Sequence, residues 1–211
     1  MKRIIVLLSV LAFVCCKSKN NKIDTLGELK EASEKAATAV EKSKDRWEER
    51  KQKGDTIAIP YKDLQAYLPE ISGYTKDGEP SGEQTNMPGM GSWSQATQRY
   101  KDGDKEIDIK ITDYNGAQGA FAGVTALYMM GYSSENDTKK ESTTDMGMKD
   151  VVGYETIYKK EPRSHLVVIA ADRFFIELDC EGNNDENFLK GIAKSMGLLI
   201  RPRAKSKRAA Q

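Results

Sequence analysis

The chain has 211 residues, with 33 Lys or Arg against 32 Asp or Glu, one histidine and a formal net charge of +1. So even a balance removes the global positive field that nucleic-acid binding needs. Three cysteines, two of them adjacent at 15 and 16, leave Cys180 alone in the body, which excludes a disulfide framework and fits a small buried apolar residue.

Lys2 and Arg3 form a basic head, and a thirteen-residue apolar run from Ile4 to Cys16 follows, interrupted only by Ser9. The chain then turns polar from Lys17 to Lys22. That run is too short to span a bilayer, which takes about 20 residues, and has the shape of an export signal. Closing on a cysteine pair, it resembles the bacterial lipoprotein signal class, in which the cysteine after the cleavage point is acylated and becomes the mature N-terminus. The family pattern has a leucine-like residue three before the cysteine and a small one just before it. Cys16 follows Phe13, Val14 and Cys15, whereas Cys15 follows Ala12, Phe13 and Val14. Cys15 is the smaller residue to stand before the cut, which favours Cys16 as the lipidated position, with Cys15 the other choice. The resemblance implies a signal peptide over 1–15, a palmitate-type anchor of several acyl chains, and a domain held at a bacterial membrane facing the periplasm or cell exterior. An ordinary cleaved signal or a buried N-terminal segment is the alternative.

Residues 16–25 read as a flexible tether and 26–52 as a charged spacer helix: Ala, Glu, Lys and Arg dominate, proline is absent and Gly27 is the only glycine. Leu26, Leu29, Ser33, Ala36, Val40, Ser43, Trp47 and Arg50 trace one seam, half of it small or polar, so a coiled coil is disfavoured. The expectation is a solvated stalk, with docking through Leu29, Val40 and Trp47 as the alternative and a partner-binding helix third.

A single α+β domain is expected over 56–200. Tyr61 to Tyr67 reads as a short helix stopped by Pro69, and 76–92, rich in Gly, Pro, Ser and Asn, as a long mobile loop. Trp93 to Tyr100 and Glu106 to Asp113 flank a hairpin turn at 101–104. In the second strand Ile107, Ile109 and Ile111 face inward while Glu106, Asp108 and Lys110 face out. Ala117 to Met130 reads as a core helix and 131–150 as a second polar loop. Strands follow at 151–159, 166–171 and 174–179, with a tight hairpin at Ala171-Asp172-Arg173, before a final helix over 185–196 that presents Phe188, Ile192, Ala193 and Met196. This order predicts an α+β fold, a mainly antiparallel sheet with helices packed on one face, with a duplicated βββα unit as one reading. A basic tail occupies 201–211, where Arg201, Arg203, Lys205, Lys207 and Arg208 read as a frayed solubilising terminus, with contact to an anionic lipid surface at about 1 kcal/mol each as the alternative.

One histidine, His165, excludes paired-histidine metal motifs, and no nucleophile sits in an elbow context. Asp108, Asp113, Asp172, Glu177 and Asp179 supply carboxylates, most of them expected on a solvent face. Glu177 and Asp179, two apart in a strand, share a face and suit a cation or acid–base chemistry. Met87 and Met90 in the first loop, with Met146 and Met148 in the second, are soft ligands that would suit Cu(I) if the loops met. Tyr74, Trp93, Tyr132 and Tyr154 flank the two loops as an aromatic binding surface. No catalytic residue or cofactor is implied. The leading expectation is a non-enzymatic binding or adaptor module at the cell envelope, with a membrane contact through the anchor, an envelope protein as partner and no nucleic acid. A periplasmic small-molecule or metal-binding lipoprotein and a carboxylate-dependent envelope enzyme are the alternatives.

Overall fold

The computed structural model describes residues 25–126 and 128–197, with side chains in the first helix described mainly from Glu41 onward. Cys15, Cys16, the expected signal, residues 16–24 of the expected tether and the basic tail lie outside the described residues, as do the side chains of Leu29 and Val40. The first helix, α1, spans Thr25–Gln52. It ends where Gly54 adopts a left-handed φ of +71°. There the Gly54 N–H donates to Lys51 O (3.0 Å) and the Asp55 N–H to Arg50 O (2.8 Å), the paired closure that satisfies the last carbonyls of a helix.

A short α2 (Tyr61–Gln65) leads into nine strands: β1 (Thr75–Lys76), β2 (Ser81–Met87), β3 (Gly91–Asp102), β4 (Lys105–Gly116), β5 (Ser133–Glu135), β6 (Lys139–Asp145), β7 (Val151–Tyr158), β8 (Arg163–Ala170) and β9 (Phe174–Glu181). Between β4 and β5 lie α3 (Gln118–Thr125) and a 3-10 turn, Tyr128–Met130. After β9 comes α4 (Phe188–Ser195). The strands form one sheet in the order β1-β3-β4-β9-β8-β7-β6-β5, with β2 also on β3, and every pair is antiparallel. The fold is α+β, with a large antiparallel sheet and helices packed against it.

Alternation sets the two faces. Ile107, Ile109 and Ile111 of β4, Leu166 and Val168 of β8, and Ile176, Leu178 and Cys180 of β9 point to one side. There Leu64 of α2 and Leu189, Ile192 and Ala193 of α4 cover them, with Met196 just beyond. Burial of each such large side chain is worth about 1.5–3 kcal/mol. The intervening residues Val167, Ile169 and Phe175 point the other way and are capped by Phe121 of α3, with Tyr114, Tyr128, Met129 and Tyr154 around them. Helices therefore lie on both faces, not one. The correction follows from β8 and β9, whose apolar residues run continuously and demand cover on both sides.

The two polar stretches expected as loops are largely strand. Residues 76–92 hold β2 and its hairpin to β3, and 131–150 hold β5 and β6. These are edge and near-edge strands whose polar side chains stay in solvent, so backbone pairing with the neighbour forms them without an apolar period. The expected duplication has a partial counterpart. The meanders β2-β3-β4 and β7-β8-β9 meet through their last strands, but α3 and α4 pack on opposite faces. A twofold axis between antiparallel β4 and β9 would put both helices on the same face.

Candidate functional site

At the end of the sheet where β4 stops and β9 starts, three charged side chains, Asp113, Asp172 and Arg173, are buried together. Asp113 continues the isoleucine row of β4 by two residues, so its carboxylate points into the core and is fully buried. Arg173, from the β8–β9 turn, meets it in a fork: Nε donates to Oδ1 at 2.9 Å and Nη2 to Oδ2. The Ile59 N–H donates to Oδ2 (2.8 Å) and the Asn115 N–H to Oδ1 (3.0 Å). Asn115, also fully buried, donates through Nδ2 to Asp55 Oδ1 at 2.8 Å. Four acceptor sites on Asp113 thus hold four protein donors, the arrangement of a structural clamp rather than of a proton carrier.

The same knot seats α1. Arg50 donates to the carbonyls of Ala171 (3.2 Å) and Asp172 (3.1 Å). Arg46 pairs with Asp172 at 2.9 Å and Asp150 at 3.2 Å. Gln118 at the start of α3 donates to Ser43 Oγ (3.0 Å). Ala171 and Asp172 both have positive φ, +53° and +51°, a conformation that costs side-chain-bearing residues about 1–3 kcal/mol each. The arginine contacts hold that turn. Burial lowers the Arg50 pKa, with Arg173 nearby adding to the effect, and burial raises the Asp172 pKa against the pull of Arg46 and Arg50. From Ser43 onward α1 is docked, through polar groups of its seam rather than an apolar stripe; Trp47 is half-buried, with Lys51 Nζ 4.9 Å above its ring.

Where α3 does not cover the second face, the sheet carries charges, and neighbouring strands neutralise them. Arg99 meets Asp108 at 3.0 Å and Glu106 at 3.1 Å. Lys110 pairs with Glu177 of β9, Lys139 with Glu141 two residues along β6 at 2.8 Å, and His165 Nδ1 is hydrogen-bonded to Asp179 at 2.9 Å. Glu177 and Asp179 do share a face, but each is engaged by a neighbour. The His165 hydrogen bond holds the Asp179 carboxyl below its ordinary pKa, the opposite of what a general acid needs. On the other face, a shallow groove beside α4 holds a further pair, Lys190 and Glu155 at 2.7 Å, and encloses no room for a small molecule.

The four aromatic residues do not form one surface. Tyr74 packs on the α4 face, its ring 6.0 Å from Phe188. Trp93, Tyr132 and Tyr154 lie on the other face: Trp93 rests 6.2 Å from Tyr114, and Tyr132 stacks at 6.4 Å on Tyr154. The four methionines do not converge either. Met87 and Met90 stand exposed at the β2–β3 hairpin, while Met146 is fully buried in the main core and Met148 packs against it. Their hairpins are separated by the five strand steps from β3 to β6, roughly 24 Å. Met146 is a core residue because Gly153 leaves room for its sulfur; a Cβ there would come within 2.8 Å of it. Among the described residues no group of three His, Cys, Asp or Glu side chains is arranged to hold a metal ion.

Six large apolar side chains are exposed among the described residues, at 39–59%. Ile57, Met87 and Met90 belong to the end of the sheet where β3 begins and β4 finishes, Ile57 being held there through its carbonyl by Asn115. Val124, Met130 and Tyr132 belong to the α3 connection across the second face. Sequence reasoning found Tyr132 and both hairpin methionines but missed Ile57, Val124 and Met130, and missed the clamp altogether. The readable signal was Asp113 falling in step with Ile107, Ile109 and Ile111. No protein-family model matches the chain, and no curated protein matches it.

Proposed function

We propose that this chain is an exported, lipid-anchored cell-envelope protein whose domain is a non-enzymatic binding or adaptor module. The N-terminal run ending at Cys16 supports the anchor. The observation that carries the binding role is the contrast between surfaces: the open charged sheet is neutralised by its own ion pairs, whereas the exposed apolar residues collect on the α3 connection and the adjoining hairpin end. Apolar and aromatic groups on fixed backbone are what a protein partner's buried anchors need. Tyr132 is fixed at the far end of that connection by the Tyr154 ring on which it stacks at 6.4 Å. The expected loops at 76–92 and 131–150 contribute through the hairpin methionines and Tyr132, while Tyr74 falls on the far side.

The test is in-cell photocrosslinking of the full-length protein with a photoreactive amino acid at position 90, 132 or 99. Adducts to one envelope protein from 90 and 132, and none from 99 on the ion-paired face, are the expected result. Adducts from 99 alone, or from no position, would overturn the proposed surface.

A further inference from the structure

Three of the six exposed apolar side chains on the proposed binding side, Met87, Met90 and Met130, are thioethers. From this we infer that the side is a methionine-oxidation site, and that oxidation switches its binding off. The second half rests on the proposed binding role; the first stands without it. Thioether oxidation needs an oxidant to approach the sulfur, and exposure decides which methionines are reached. Met90 is 52% exposed, Met130 45% and Met87 41%, whereas Met146 and Met196 are at 0% and 1%. The hairpin adds a geometric reason. Met87 and Met90 flank Pro88-Gly89, closed by the Met90 N–H donating to Met87 O at 3.0 Å, with Gly89 at φ +81°. The turn is thus held by its backbone, and neither methionine belongs to a buried cluster.

In the chemical step a sulfur lone pair attacks one oxygen of a peroxide and the O–O bond breaks. The sulfur is oxidised by two electrons to the sulfoxide, and the departing hydroxide takes up a proton to leave as water. A thiol-dependent sulfoxide reductase returns the two electrons. Each event replaces an apolar, polarisable contact by a strong dipole that must keep its water. Three such changes would remove half of the exposed apolar side chains while leaving the core methionines untouched.

The experiment treats the full-length protein with hydrogen peroxide and follows each methionine by peptide-mapping mass spectrometry. Met87, Met90 and Met130 should gain oxygen on the order of tenfold faster than Met146 and Met196, with the thermal midpoint unchanged when the fast set is complete. Equal rates at the buried residues, or a midpoint that falls in step with oxidation at 87 and 90, would overturn the site. In a second arm, peroxide should abolish the adduct from position 132 in the wild type, and treating the oxidised protein with a methionine sulfoxide reductase and a thiol should restore it. Adducts that persist in the oxidised wild type would overturn the switch. Absence of adducts before oxidation would instead count against the binding role, and the mass spectra would still decide the site.

Discussion

The two faces of the sheet are made by alternate residues of the same strands, yet they are finished differently. On the α4 side, isoleucine, leucine and valine rows are closed by helices, and the charged groups left there, Asp113 and Glu155, are each buried against a basic partner. On the other side a small aromatic cluster under α3 gives way to a lattice of cross-strand ion pairs and hydrogen bonds. The lesson is that a sheet face can be completed by burial or by charge pairing. The second kind is soluble and specific in register but contributes little stability. Function is then expected on what is added to the sheet, namely α1, the α3 connection and the β2–β3 hairpin.

The buried clamp shows charge pairing at its most costly, and breaking it should give the largest effect. Asp113→Ala leaves Arg173 buried without its partner and should lose about 3–5 kcal/mol, read as a lower urea midpoint. Asp113→Leu with Arg173→Met should recover most of the loss. Adjacent residues on opposite faces sharpen the contrast. Ile109→Ala should cost about 2–5 kcal/mol by opening a cavity, and Lys110→Ala, which breaks a half-buried pair with Glu177, less than about 1 kcal/mol. Equal costs would mean that the charged lattice is as structural as the core.

Two tyrosines, one on each face, set the alkaline limit. Burial pushes both Tyr100 and Tyr154 up to about 12. A raised acid pKa means that the folded form keeps its protons longer than the unfolded chain. The associated stability is complete below the unfolded value of about 10 and is lost as pH climbs toward about 12. Absorbance at 295 nm should show these two ionising after the exposed tyrosines, and Tyr154→Phe should flatten the decline. A modest effect is expected where α1 docks. Arg46→Ala with Arg50→Ala should cost about 1–2 kcal/mol and speed amide exchange in 43–52 and in the β8–β9 turn, while the rest of the sheet keeps its protection.

Period-two patterns made the central strands readable, since Ile107, Ile109 and Ile111 declare a buried face without any other information. The edge strands were not readable, because β2 and β6 form by pairing with a neighbour and their side chains carry no period. The docked helix was half readable: Ser43, Trp47 and Arg50 were in the seam, but a polar seam looks like a solvated one until its partners are known. Those partners, Asp150, Ala171, Asp172 and Gln118, come from distant turns, and their approach depends on the sheet order. The aromatic set was divided for a related reason. Tyr74 and Trp93 both flank the first polar stretch, yet they fall on opposite faces, which distance along the chain does not reveal.

The proposed anchor would determine where the proposed module works, so the most direct test is mass spectrometry of the N-terminal peptide from full-length protein extracted from bacterial membranes. A peptide beginning at Cys16 and carrying acyl chains is the predicted result, with Cys16→Ala released from the membrane fraction. An acylated peptide beginning at Cys15 would keep the tether and move it by one residue. An unacylated N-terminus, or a Cys16→Ala protein still held at the membrane with Cys15 unmodified, would contradict lipid anchoring.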